Sequence, residues 1–412
     1  MLTRRALEEH LAGGACAPTP AGPPRLGVEQ EWHTYRLDDL DRHLHPEEVL
    51  TAATAAGALP HGSRVTVEPG GQVEISTPPT DPWWGCLDAM RGDGAELRRR
   101  LLDAGIVAVP GGVDVFRPPR RTLSRPRYDV MQAFFDRHGP EGRRMMAACA
   151  AIQVNVDSGD AALADARWQL AHRIAPTLAA AFACSPCPTH RSERLANWHA
   201  MDPTRTRPAL VTGSMTDDWR RYVLAAEVMV LNHHDGTASL PPPGITFEAW
   251  MAHGIDGRHP TLADLDYHCS TLFPPVRPRG WLELRWVDAL PAGVAEVATA
   301  TIGALLLDPG AAELADAACQ AVGAASTWDR AAELGPRCAE LAAAATVLLR
   351  IAADALDRSD ADPAWAARVL DAAERWPAKG RCPADDLEAR LAAGGGPVAL
   401  ADPPAEVVTW PG

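Results

Sequence analysis

A single lysine, Lys379, stands among the 39 basic side chains of this 412-residue chain. No glycine-rich loop is followed by lysine, so a Walker-type phosphate cradle is absent and any phosphate must be met by arginine and metal ions. Positive charge is scarce overall. The 53 acidic residues leave a formal net charge of −14, which argues against nucleic acid, whose phosphates need a basic face. No uncharged apolar run is long enough to span a bilayer, so no membrane segment is expected. The N-terminal "MLTRRALEEHLAGG" carries acids and lacks a signal-peptide core, so export is not expected. Disulfides are poorly provided for: the nine cysteines are scattered and odd in number, which fits reduced thiols in a cytoplasm. Cys184-x-x-Cys187 lacks a second Cys pair or a His at zinc spacing, and His233-His234-Asp235 falls at an expected helix end. Neither reads as a metal site. Oligomeric state has no signature in the sequence.

What is present suits a large globular α+β protein, with 47% apolar and 22% charged residues. The imperfectly alternating apolar residues Leu26, Val28, Trp32, Tyr35 and Leu37 predict a strand over 26–37. Strands 64–68 and 72–77 flank the turn signal Pro69-Gly70-Gly71, and further strands are expected at 151–157 and 281–288. Helices are expected at 45–57, 86–104, 127–147, 161–183, 216–232 and 261–269. The segment 294–393 is Ala-rich with helical spacing and breaks at Asp308-Pro309 and Asp360–Pro363. We therefore expect a catalytic α+β region over 1–293, a helical region over 294–393 packed on it, and an irregular Gly/Pro-rich tail over 394–412.

Acidic residues interrupt the strands. Residues two apart share a strand face, so Glu29 and Glu31 point one way. Glu68 and Glu74 do likewise if the glycine pair does not bulge the strand. Four carboxylates in one cleft repel unless cations hold them, and hard oxygen ligands suit Mg²⁺ or Mn²⁺. A solvated strand face explains the same alternation. Around Glu283, Arg277, Arg279 and Arg285 concentrate planar cations that suit an anion beside a metal; a surface ion pair is the plain alternative. "IQVNVD" presents Gln153, Asn155 and Asp157 on one face. Arg194 and Trp198 are four apart and share a helical face.

Taken in order, "GVEQEWHT", "VEPGGQVEIS", "RYDVM", "GRRMM" leading to "IQVNVD", "RLANWHAMDPTRT", "TFEAW" and "YHCSTLFPPVRPRGWLELRWVD" resemble the glutamate–cysteine ligase type 2 family. The likeness is greatest to its ergothioneine-biosynthesis branch. It implies a curved, largely antiparallel active-site sheet backed by helices, glutamine-synthetase-like, with ATP as co-substrate and two or three Mg²⁺ ions, Mn²⁺ being possible. By motif, Glu29, Glu31, Glu68, Glu74 and Glu283 are the implied metal ligands. Arg194 and Trp198 match the position associated with glutamate, and Arg127 and Arg279 are further implied substrate contacts. Arg285 is implied near the phosphates, with Gln153 and Asn155 near the reacting centre. Departures are Cys149 in "MMAACAAIQVN", where the family carries Thr, and a less regular "HRSERLANW". The implied reaction is ATP-dependent amide formation between L-glutamate and L-cysteine through an acyl phosphate. Two rivals are a ligase of the same fold with another amine or acid, and a metal- or nucleotide-binding regulatory protein without turnover.

Overall fold

The computed structural model describes residues 2–20, 22–233, 237–320 and 327–402. β1 (Leu26–Arg36) forms on the alternating run and becomes the hub of the main sheet. β2 (Arg64–Val67) and β3 (Val73–Ser76) form a hairpin about Pro69-Gly70-Gly71. β4 (Ile106–Val109) pairs the second half of β1, and β5 (Ala151–Val156) pairs the first half. β6 (Leu231–Asn232) and β7 (Ala238–Ser239) make a separate two-stranded sheet. β8 (Val276–Pro278) and β9 (Leu282–Asp288) complete the main sheet, whose order is β2-β3-β1-β5-β9-β8 with β4 on β1. Every pairing is antiparallel.

Alternation divides this sheet chemically. Val28, Ile152, Val154, Leu282 and Leu284 are buried in one core with residues of the helices Ala164–Ala181 and Val294–Leu307. Each such side chain contributes about 1.5–3 kcal/mol on burial. The other face carries the charges. All fourteen residues of Val294–Leu307 are buried, so that helix, apolar apart from Glu296, Thr299 and Thr301, is part of the core. Among the described residues no single helix is long and apolar enough to cross a membrane.

Several expectations needed correction. The helix expected over 127–147 is two, Pro126–Phe135 and Glu141–Ala148. Gly139 has φ +149 between them, and Pro140 supplies no N–H to continue a helix. The helix expected over 216–232 stops at Ala225; Val228 instead donates its N–H to Ile245 O at 2.8 Å, where β-branched residues are at ease. β4, β8 and the helices Arg4–Gly13 and Phe247–His253 were not anticipated. The C-terminal helices break at Asp308 and over 358–363, close to the expected points. Within the expected irregular tail, Pro397–Leu400 is a short helix and 403–412 lie outside the described residues. His234 and Asp235 of the discounted histidine run also lie outside them, while His233 Nε2 meets Ser239 Oγ at 2.7 Å.

Candidate active site

Directly opposed residues in an antiparallel sheet share a face. The register therefore builds three polar rows: Thr66, Glu74 and Glu31; Arg64, Ser76, Glu29 and Gln153; Asn155, Glu283 and Arg277. This face borders a cavity of about 830 Å³. Every site residue named from the sequence lines it except Asn155.

Glu68 reaches the cavity from the hairpin turn. Its N–H donates to Gln72 O at 2.8 Å, and its C=O accepts from Gly71 at 2.9 Å. Gly70 is demanded by close approach, since a Cβ there would lie 2.2 Å from Ala147 O. Gln72 Nε2 donates to Cys149 O at 2.7 Å. The turn is thus fastened to the end of Glu141–Ala148, and Glu68 is held by its backbone. Its carboxylate accepts no hydrogen bond among the described residues.

The other three acids are partly tied. Glu31 accepts from Ala151 N at 2.8 Å and Gln153 Nε2 at 3.1 Å. Glu74 accepts from Thr66 Oγ1 and, at 3.3 Å, Ser76 Oγ, and Glu29 from Asn155 Nδ2 at 3.4 Å. Burial and mutual repulsion lift several of these carboxyls. Glu29 is pushed up to about 7, by burial first and then by Glu74 and Glu283. Glu68 is likewise pushed up to about 7, by burial and then Glu74. Glu31 is raised well above the carboxylate range by burial, Glu68 and Glu74. Three carboxyls that resist ionisation together are short of positive charge, and a divalent cation fits that deficit and the all-oxygen donor set. Among the described residues no three His, Cys, Asp or Glu side chains already close on one point, so a cation would have to draw these acids together.

Glu283 is in the opposite condition. Arg277 donates to it through Nε at 2.6 Å and Nη2 at 2.9 Å, Arg279 through Nη1 at 3.0 Å and Arg285 through Nη1 at 2.9 Å. Burial acts to raise its pKa, but the guanidiniums of Arg277, Arg285 and Arg279 outweigh burial and hold it far below the usual range. Four N–H groups occupy its lone pairs, so it reaches a metal only by releasing one.

Beside it, Arg285 also donates to Gln153 Oε1 and lies over the Trp198 and Phe273 rings at 5.7 and 5.8 Å. Arg194 projects from the helix Glu193–Met201 and stacks on Trp198 at 5.2 Å. It donates to Arg285 O at 2.8 Å and lies 3.7 Å from Asp288. The buried Nε groups of Arg194 and Arg285 have no acceptor among the described residues, which leaves donor capacity for an anion. Arg127 is tied to Ser270. Arg205, by contrast, is wholly structural, bound to Asp202, Thr271 and Glu227.

Sequence reasoning missed Asp288. It accepts from Cys184 N, Ser185 Oγ and Ser192 Oγ at 2.7–3.0 Å, so it braces the start of the Arg194 helix. A register shift between Ile152 and Val154 explains the miss. The bulge inserts a residue on β9 after Leu284, so the period-2 count that puts 283 and 285 on one face does not carry on to 288. Arg64 also lines the cavity without any motif that distinguished it, and Tyr128 and Met145 line it from within "RYDVM" and "GRRMM", where no role had been assigned to them.

An antiparallel sheet with carboxylates at one end of its polar face and guanidiniums at the other suits a ligase that acts on charged substrates. Residues 25–401 match Glutamate-cysteine ligase family 2 (GCS2), and the chain belongs to that family. Glutamate–cysteine ligase EgtA of Mycobacterium tuberculosis is 39% identical over 404 residues, covering 95% of this chain and 91% of that protein. The same fold occurs in a bifunctional glutathione synthetase from Pasteurella multocida, with TM-score 0.54 and 14% identity over 92% of this chain and 51% of that one. It occurs also in a glutamate–cysteine ligase from Francisella tularensis solved with AMP, with TM-score 0.50 and 11% identity over 93% and 88% of the two chains. The chain is thus a ligase acting on small molecules.

Proposed function

We propose that the enzyme joins the γ-carboxylate of L-glutamate to the amine of L-cysteine through γ-glutamyl phosphate, releasing ADP and phosphate, and that its product feeds ergothioneine biosynthesis. The observation that supports this reading is the division of charge across one cavity. Carboxyls lifted by burial and mutual repulsion stand at the β1–β3 end, and buried guanidiniums with spare N–H groups stand near β9. A cytoplasmic setting agrees with nine free cysteines.

Glu29, Glu31, Glu68 and Glu74 would hold the cation, with Glu283 joining if an arginine lets go. When bound, Mg²⁺ supplies neutralisation of the ATP phosphates. Arg194, its plane set by Trp198, would take a glutamate carboxylate through its free Nε. Arg285 would stabilise charge developing on the transferred phosphoryl group, and it is already hydrogen-bonded to Glu283 and Gln153. Arg127 and Arg279 would flank the substrates, Arg279 from the rim, where its side chain is 48% exposed. Gln153 and Asn155 each donate an N–H, to Glu31 and Glu29 respectively, so we assign them to orienting the acids beside the reacting centre.

The test is phosphate release by purified protein given Mg-ATP, glutamate and one amino acid at a time. Cysteine should support turnover best. A better amine would replace the substrate assignment, and no turnover with any amine would favour a regulatory nucleotide-binding role. Loss of ergothioneine on deleting the gene, restored by its return, checks the pathway.

A further inference from the structure

Two amides on β5 share one arrangement. A tryptophan indole and a guanidinium can only donate hydrogen bonds. Trp281 Nε1 donates to Asn155 Oδ1 at 2.8 Å, which leaves the Asn155 NH₂ to face Glu29, 3.4 Å from Oε1. Two residues earlier, Arg285 donates to Gln153 Oε1, which leaves the Gln153 NH₂ to face Glu31 at 3.1 Å. Each amide therefore has its flip dictated by an obligate donor and passes its own donor to one acid. Arg285 belongs to the site, but Trp281 lies outside the cavity lining and is 38% exposed. Its ring also carries the Arg279 guanidinium at 5.4 Å, and Arg279 reaches Glu283 at 3.0 Å.

We propose that Trp281 is a positioning residue for the cation site: through Asn155 it fixes which way the Glu29 carboxylate is held. The inference rests on the reading that Glu29 holds a cation. Without the indole N–H, the Asn155 amide is free to turn its oxygen towards Glu29, and two acceptors then face each other. Groups that orient a metal-binding carboxylate set affinity about as strongly as a weak ligand does, so a tenfold loss on removal is the order of magnitude expected.

Trp281→Phe keeps a ring beneath Arg279 and removes only the donor. The measurement is the rise in Tm as MgCl₂ is titrated at a fixed ADP concentration, in wild type, Trp281→Phe, Asn155→Ala and the double variant, with KM for Mg²⁺ and for glutamate alongside. Trp281→Phe should need about tenfold more Mg²⁺ for half its Tm rise, with KM for glutamate unchanged. In the Asn155→Ala background it should have no further effect, because the route runs through that amide. An unchanged Mg²⁺ midpoint in Trp281→Phe, or full additivity in the double variant, overturns the inference while leaving the acidic cradle standing. A wild-type protein whose Tm ignores Mg²⁺ overturns the cradle itself, and this inference with it.

Discussion

Glu68 and Glu283 border the same cavity, and their surroundings drive them in opposite directions. Glu68 has other carboxylates for neighbours and accepts no hydrogen bond, so burial and repulsion push it up to about 7. Glu283 is more deeply buried, yet three guanidiniums hold it ionised. The difference is one of assembled charge, not of burial. One end of the polar face is complete without a ligand, and the other lacks positive charge. A cation-dependent site can be recognised by that shortage.

Substitutions that treat the two acids alike should break the comparison if it is false. The largest effect expected is on turnover: Glu68→Gln should cut ADP release by at least about a hundredfold, the scale of a lost metal-orienting group. Its metal-free stability should hold or rise, because repulsion is relieved. Glu283→Gln should instead destabilise the protein by about 3–5 kcal/mol in denaturant titration, because it leaves Arg277 buried without its charge partner. Equal stability losses in the two variants would contradict the account. Arg194→Ala should raise KM for glutamate by roughly ten- to a hundredfold, the range for a hydrogen-bonded charge, with KM for ATP little changed.

The smallest effect is on pH dependence. In the metal-free fold Glu29 and Glu68 are pushed up to about 7 from an ordinary 4.5. Between those values the folded protein keeps protons that the unfolded chain has released. This contribution to stability is full below about 4.5 and is lost as pH rises through about 7. Tm scans of metal-free protein should show that decline, and excess Mg²⁺ should reverse it at high pH more than at low.

Much of this was legible in the residues. The alternation of "GVEQEWHT", "IQVNVD" and "LELRWVD" located β1, β5 and β9 and the correct polar face, because a half-buried strand writes its faces into every second residue. The crowd of arginines near Glu283 was legible too. The opposed states of the acids were not, since they depend on register: Glu74 lies across from Glu31, and Arg277 across from Glu283. Asp288 was hidden by a bulge. β4 and β8 are short runs of four and three residues, recruited by pairing to a neighbour and carrying too little pattern to announce themselves.

The central claim is that the β1–β3 acids hold a divalent cation. Its most direct test is equilibrium binding of Mn²⁺, followed by the electron paramagnetic resonance signal of the free ion, in the presence of ADP. Wild type should take up Mn²⁺ and Glu68→Gln should lose most of that uptake at the same concentrations. Uptake by Glu68→Gln equal to wild type, or none by either, would contradict the account.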